Sequence, residues 1–161
     1  MSWISPVTKH RLEVQGFVGV DRELLAETAR WLRLSHGLCA VLAAVGTYLS
    51  SPALLLAIVP FPALGAVFPV HPFDLIYNLG IRHIKGAPPL PKRGTPGRFA
   101  CGLTAAWLVA TAVLFMAGMG RAGTILGGLL VLMNALAAIN NMCLPSMIYR
   151  LLFGWPEYAG T

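Results

Sequence analysis

Three cysteines, Cys39, Cys101 and Cys143, are the side chains of this 161-residue chain best suited to covalent chemistry. They form no Cys-x-x-Cys pair and no cysteine-rich framework, so their spacing gives neither a zinc site nor a secreted disulfide scaffold. Each lies a few residues inside a basic one: Cys39 after Arg33, Cys101 after Arg98 and Cys143 before Arg150. At 1.5 Å per helical residue, all three sit roughly 5–10 Å inside those charges, in one layer. On a continuous helix, however, Cys143 projects with Asn140 and Met147 away from the small-residue face, toward lipid or a partner. That orientation argues against a three-cysteine site. It leaves Cys143 as the candidate thiol, with Cys39 and Cys101 in support; a buried Cys otherwise packs as a small hydrophobe.

The other chemical candidates are intramembrane polar groups. His36 could ligate a metal or porphyrin or relay a proton, but a neutral His bonded to a facing helix is the simpler reading. No second histidine shares an apolar stretch with it, and His71 and His83 are expected to approach only from the surface, so no metal site is expected. Gly123, Gly127, Asn134, Ala138, Asn141 and Pro145 fall on one helical face. Small residues there allow close helix approach and Asn bonds across it, so this is foremost a packing seam, with Asn134, Asn140 and Asn141 as ligand candidates. No phosphate-binding loop, His-Glu-x-x-His motif or nucleophile elbow is present, and no catalytic residue is assigned.

The elements that carry these groups follow from composition. The chain is 57% hydrophobic and 11% charged, against about 25% charged in soluble domains. That excludes a disordered chain, a nucleic-acid-binding domain and an ordinary cytosolic enzyme, and points to an all-α integral membrane protein. The net charge of +6 fits the concentration of Lys and Arg on one membrane side. Met1 to Asp21 has no apolar core with a cleavage site, so the spans are expected to direct insertion.

Beyond an N-terminal cytoplasmic segment, 1–20, a single membrane domain is expected over 21–161. Asp21 can cap a helix that begins at the membrane surface and continues into the first span, 31–50. The second span, 52–70, starts with Pro at its first turn and is kinked at Pro60 and Pro62. The third and fourth, 99–119 and 122–149, form an antiparallel hairpin. Spanning ~30 Å of hydrocarbon takes ~20 residues, so the second is marginal. Residues 72–85 predict an interfacial helix with Asp74, Asn78, Arg82 and Lys85 as its polar stripe. A Pro-rich connector, 86–98, follows. Lys9, Arg11, Arg22, Arg30, Arg33, Arg82, Lys85, Lys92, Arg93, Arg98 and Arg150 fall on one side and Arg121 alone on the other. Both termini are therefore expected in the cytoplasm.

The segment HPFDLIYNLGIRHIKGAPPLPKRGTPGRFACG, followed by NNMCLPSMIYRLLFG, resembles the small bacterial membrane proteins grouped as domain of unknown function 4395. The resemblance covers roughly residues 15–154. It implies a four-helix unit in the bacterial cytoplasmic membrane and, from the genes found beside some members, thiol or sulfur traffic. Many members carry Cys-x-Gly-Cys-x-x-Tyr. Here Cys143 and Tyr149 fit that pattern, while Pro145 and Ser146 replace the Gly and the second Cys. One thiol forms no internal disulfide, but Cys143 retains the capacity for a mixed disulfide or a persulfide.

The expectation for function is a non-catalytic accessory or scaffold subunit packed among other integral membrane subunits and lipids, without nucleic acid. The alternative is a thiol- or sulfur-handling membrane protein using Cys143, and a weaker one is a small solute channel at the Pro60/Pro62 kink. No cofactor is expected, and no motif supports a bound lipid, quinone or pigment.

Overall fold

The computed structural model describes residues 4–155. The N-terminal residues of the expected cytoplasmic segment and the C-terminal end assigned to the same side, 1–3 and 156–161, lie outside the described residues. Among those described, every regular element is helical. Helix α1 (Pro6–Val14) opens with Ser5, whose hydroxyl accepts the Thr8 N–H, and with Pro6, whose missing N–H costs nothing there. Helix α2 (Arg22–Thr28) is capped by Asp21, which accepts the Glu23 N–H at 2.7 Å.

The expected continuous helix from Asp21 into the first span breaks into turns over 29–33, and α3 (Leu34–Tyr48) starts afresh. Ser51 and Pro52 begin α4 (Pro52–Ile58), and the chain breaks before α5 (Pro60–Val67). That break falls where Pro60 removes an i→i−4 hydrogen bond.

The expected interfacial helix is three pieces: α6 (Pro72–Ile76), a π-helical turn (Tyr77–Ile81) and α7 (Arg82–Lys85). Its polar residues do not form a solvent-facing stripe, a second departure from expectation. Asp74 is buried, and Asn78 turns its Oδ1 to the Leu90 N–H at 3.0 Å. The unpaired backbone of the Pro-rich connector and a buried arginine within it draw both side chains inward.

The two long helices are α8 (Thr95–Met116) and α9 (Gly120–Asn140). The expected fourth span to residue 149 ends early. Asn141 takes a left-handed φ of 53°, which Asn tolerates better than most side chains, and α10 (Leu144–Phe153) departs in a new direction. The carbonyls freed at the end of α9 are claimed by α1: Arg11 donates to the Asn140 carbonyl at 2.9 Å and Gln15 to that of Asn141 at 2.7 Å.

α3 packs on α9, and α8 packs on α4, α5, α9 and α10. Close approach depends on glycine: a Cβ on Gly127 would overlap the Thr47 side chain, and one on Gly123 would reach the Phe115 ring. Ala43, Leu55, Ile58, Leu108, Ala112 and Leu130 fill the bundle core. A second core of Ile4, Leu12, Phe17, Leu25, Leu32, Tyr77 and Leu90 ties α1, α2, the π turn and the Pro-rich segment into a separate layer. Among the described residues, two helices, α8 and α9, are long and apolar enough to cross a membrane. The number rises to three if the pair Pro52–Val67 and Pro72–Lys85, bent by 87°, counts as one span.

Candidate functional site

A cavity of about 40 Å³ lies where α3, α5, α8, α9 and the start of α10 converge. Ser35, His36 and Cys39 enter it from α3, Pro62 from α5, Cys101, Thr104 and Trp107 from α8, and Asn134 from α9. His71, Arg93 and Cys143 complete the wall from non-helical segments. All three cysteines are buried, unpaired by any disulfide, and line this one space. The expected outward orientation of Cys143 is thus corrected: it is 6% exposed. The reason is the left-handed turn at Asn141, which ends α9 and redirects the next residues under α8. His71, expected only at the surface, is also buried in the wall.

Arg93 dominates the electrostatics. It is buried and donates from Nε to Asp74 Oδ2 at 3.0 Å and from Nη2 to Asp74 Oδ1 at 3.1 Å, a two-point pair. A further Nη2 hydrogen bond goes to the Ser35 hydroxyl oxygen. Burial opposes the guanidinium charge, but the Asp74 carboxylate and its hydrogen bonds, together with Cys101 and Cys143, hold Arg93 more firmly protonated than a free arginine. Its charge reaches His36, Cys39, His71, Cys101 and Cys143, so one cation serves every titratable group of the cavity.

His71, between α5 and α6, accepts the Phe73 N–H on Nδ1 at 3.2 Å, so a neutral ring carries its proton on Nε2. Burial, and then the Arg93 charge, push it down to about 3, so it is uncharged at neutral pH. Gly65 makes room here: a Cβ on it would lie 2.6 Å from His71 Cδ2 and 3.2 Å from the Cys101 sulfur. Cys101 stands between the other two thiols, within electrostatic reach of both Cys39 and Cys143. The Ser146 hydroxyl contacts Cys143 Sγ and the Pro96 carbonyl oxygen, each at 3.2 Å. Burial raises the Cys143 thiol above its ordinary range, while Ser146 and Arg93 pull the other way.

The remaining candidates, apart from Asn134 on the cavity wall, are dispersed. Asn134 is buried and donates to the Leu130 carbonyl one turn back, Asn140 is exposed, and Asn141 has a buried Nδ2 without a partner among the described residues. Gly37 of α3 meets Ala138. Pro60 is exposed at the helix break, whereas Pro62 is buried. Arg82 and Lys85 lie away from the cavity, Lys85 over the Trp31 ring. Among the described residues, no group of three or more His, Cys, Asp or Glu side chains could hold a metal ion. Sequence reasoning missed Arg93, Ser35 and Gly65 as site residues and set Asp74 on a polar surface stripe instead of in the cavity's ion pair. Arg93 reads locally as one more basic residue in a Pro-rich loop, and only a buried carboxylate far along the chain gives it another role.

Neither a curated protein nor a solved structure matches the chain. The family model described as Domain of unknown function (DUF4395) matches residues 29–153, a range containing all three cysteines, Asp74 and Arg93, and the chain belongs to that family.

Proposed function

We propose that this chain is a membrane protein that carries a single sulfur atom on a buried thiol. The observation that carries the reading is the gathering of Cys39, Cys101 and Cys143 around one small cavity beside a buried, permanently charged arginine. It moves the weight from an accessory subunit to thiol chemistry, because a scaffold requires no such convergence.

The cavity volume of about 40 Å³ leaves room for an added sulfur atom, since about 10–15 Å³ of such space is enough to hold one water. A persulfide R–S–SH is the simplest donor. The Cys101 sulfur attacks the outer sulfur, the donor's own S–S bond breaks, and a new S–S bond forms on Cys101. R leaves as a thiol carrying the Cys101 proton. The sulfur keeps its oxidation level, so no external oxidant is needed. Arg93 faces Cys101 as the positive charge against which negative charge can develop on sulfur during the exchange. Cys39 and Cys143 stand ready to receive the sulfur in a second exchange of the same kind.

Exposure of protein to a low-molecular-weight persulfide, followed by intact-mass measurement, is expected to show one sulfur gained per chain. Cys39→Ala is expected to retain it and Cys101→Ala to lose it. Equal uptake by the triple Cys→Ala variant, or none by the wild type, overturns the reading.

The setting we propose is four crossings of the bacterial cytoplasmic membrane, α3 and the α4–α5 pair joining α8 and α9. Exposed Val41, Val45, Leu64, Val113, Ile125 and Leu132 on these helices support it, since each requires an apolar neighbour. α3 alone has 15 residues, about 22 Å at 1.5 Å per residue, so its crossing depends on local thinning or tilt of its neighbours. A reporter enzyme fused after Thr161 is expected on the cytoplasmic side. Activity of that fusion only outside the membrane refutes the orientation.

A further inference from the structure

We propose a second site: a basic groove outside the cysteine cavity that binds a phosphate group, presented by an anionic phospholipid at the membrane surface. The groove, about 960 Å³, lies between α1, the segment 26–33 and the residues following α7. Arg30, Arg33 and Lys85 line it, against the single carboxylate of Glu27. None of the three cations has a salt-bridge partner among the described residues, where the ion pairs are Lys9–Glu13 and Arg93–Asp74.

Two features mark it as a built site rather than a solvated face. The Arg33 Nε is shielded from solvent yet has no hydrogen-bond partner among the described residues. A buried N–H without a partner is unfavourable, and an acceptor entering the groove would relieve that cost. The other two cations are gathered on one ring: Lys85 Nζ lies 5.3 Å and Arg30 Cζ 5.5 Å from the centre of Trp31. They are thereby held together at the groove instead of dispersing into water. The Thr8 hydroxyl, which accepts from Ser5 Oγ at 2.9 Å, stands on the facing wall as a neutral donor.

The lipid source follows from position. Arg33 immediately precedes α3, so the groove opens at the end of the apolar bundle. Beside Lys85, Ile84 is 86% exposed, and Leu79 of the adjoining π turn is 73% exposed. A headgroup phosphate in the groove would place its acyl chains against these side chains, and basic pockets at a membrane surface favour anionic lipid. A free phosphate ion would satisfy the cations but leave those apolar residues uncovered.

Trp31 provides the readout. The detergent-purified protein is titrated with phosphatidylglycerol, phosphatidylcholine or inorganic phosphate while tryptophan fluorescence is followed, with Trp31→Phe as the reference. A saturable change with phosphatidylglycerol alone supports the site and the lipid source. A change of similar size with inorganic phosphate supports the phosphate chemistry but overturns the lipid source. Arg33→Gln is expected to weaken binding about tenfold, as for loss of one charge-assisted hydrogen bond. Lys85→Gln, at an exposed position, gives an independent variant whose folding is not at issue. No saturable response, an equal response to phosphatidylcholine, or unchanged affinity in both variants overturns the proposal.

Discussion

Arg93→Met should cost about 3–5 kcal/mol of stability, the largest loss expected from any single side chain here, because it strands Asp74 as a buried, unpaired carboxylate. Asp74 has no other ion-pair partner among the described residues, and the pair is only 4% exposed on each side. Asp74→Asn should cost less than Arg93→Met, since a neutral amide still accepts one guanidinium hydrogen bond. The double variant Asp74→Leu/Arg93→Met should recover most of the loss, because removing both charges removes the desolvation cost of each. Thermal unfolding in detergent, run as a double-mutant cycle, measures this. The pair contributes little if the single and double variants unfold together. The cycle also separates stability from chemistry. The double variant should fold yet lose sulfur uptake, since the cation facing Cys101 has gone.

The second large effect is expected at Gly94, next to that arginine. A Cβ there would overlap the Gly16 carbonyl oxygen and come within 2.9 Å of the Gly16 Cα. Gly16 itself sits at φ +99°, a conformation that side chains rarely adopt. The clash is backbone against backbone, so no rotamer change relieves it. Gly94→Ala should therefore cost about 1–3 kcal/mol, the range for overpacking a close contact. It should also move Arg93, whose N–H is anchored to the Pro69 carbonyl at 2.8 Å. Gly128→Ala is the control. Nothing lies within 4 Å of a Cβ at Gly128, and Ala in a helix gains about 0.8–1.0 kcal/mol over Gly. Equal melting temperatures for the two variants would show that the Gly16–Gly94 contact carries no strain.

The importance of Gly94 could not be read from its neighbours in sequence. In KRGTPGR it looks like an ordinary loop glycine, and its partner lies far back, at Gly16. The same limit explains the error at Cys143. An outward direction follows only if one helical phase extends from Gly123 to Tyr149, and phase is lost where α9 ends at Asn140. A single left-handed residue, Asn141, was enough to turn the thiol from an outward position into the cavity.

What could be read from the chain is what depends on residues within a turn or two of each other. Asp21 and Ser51 cap helices because their side-chain oxygens reach N–H groups two or three residues on. Pro60 breaks a helix because its ring has no hydrogen to donate. The long apolar stretches become α8 and α9 because each supplies its own hydrogen bonds internally. Counting along such helices also put Cys39 and Cys101 at one depth, whereas Cys143 joins them only through the break after α9. Folding in three dimensions decided the rest, since burial of Asp74 is tolerable only when Arg93 arrives from a connector nineteen positions away. That meeting depends on the layer formed by α1, α2 and the Pro-rich segment, and on glycines that let backbones touch. No local pattern encodes such contacts, because their free energy resides in pairs of groups that the unfolded chain keeps apart.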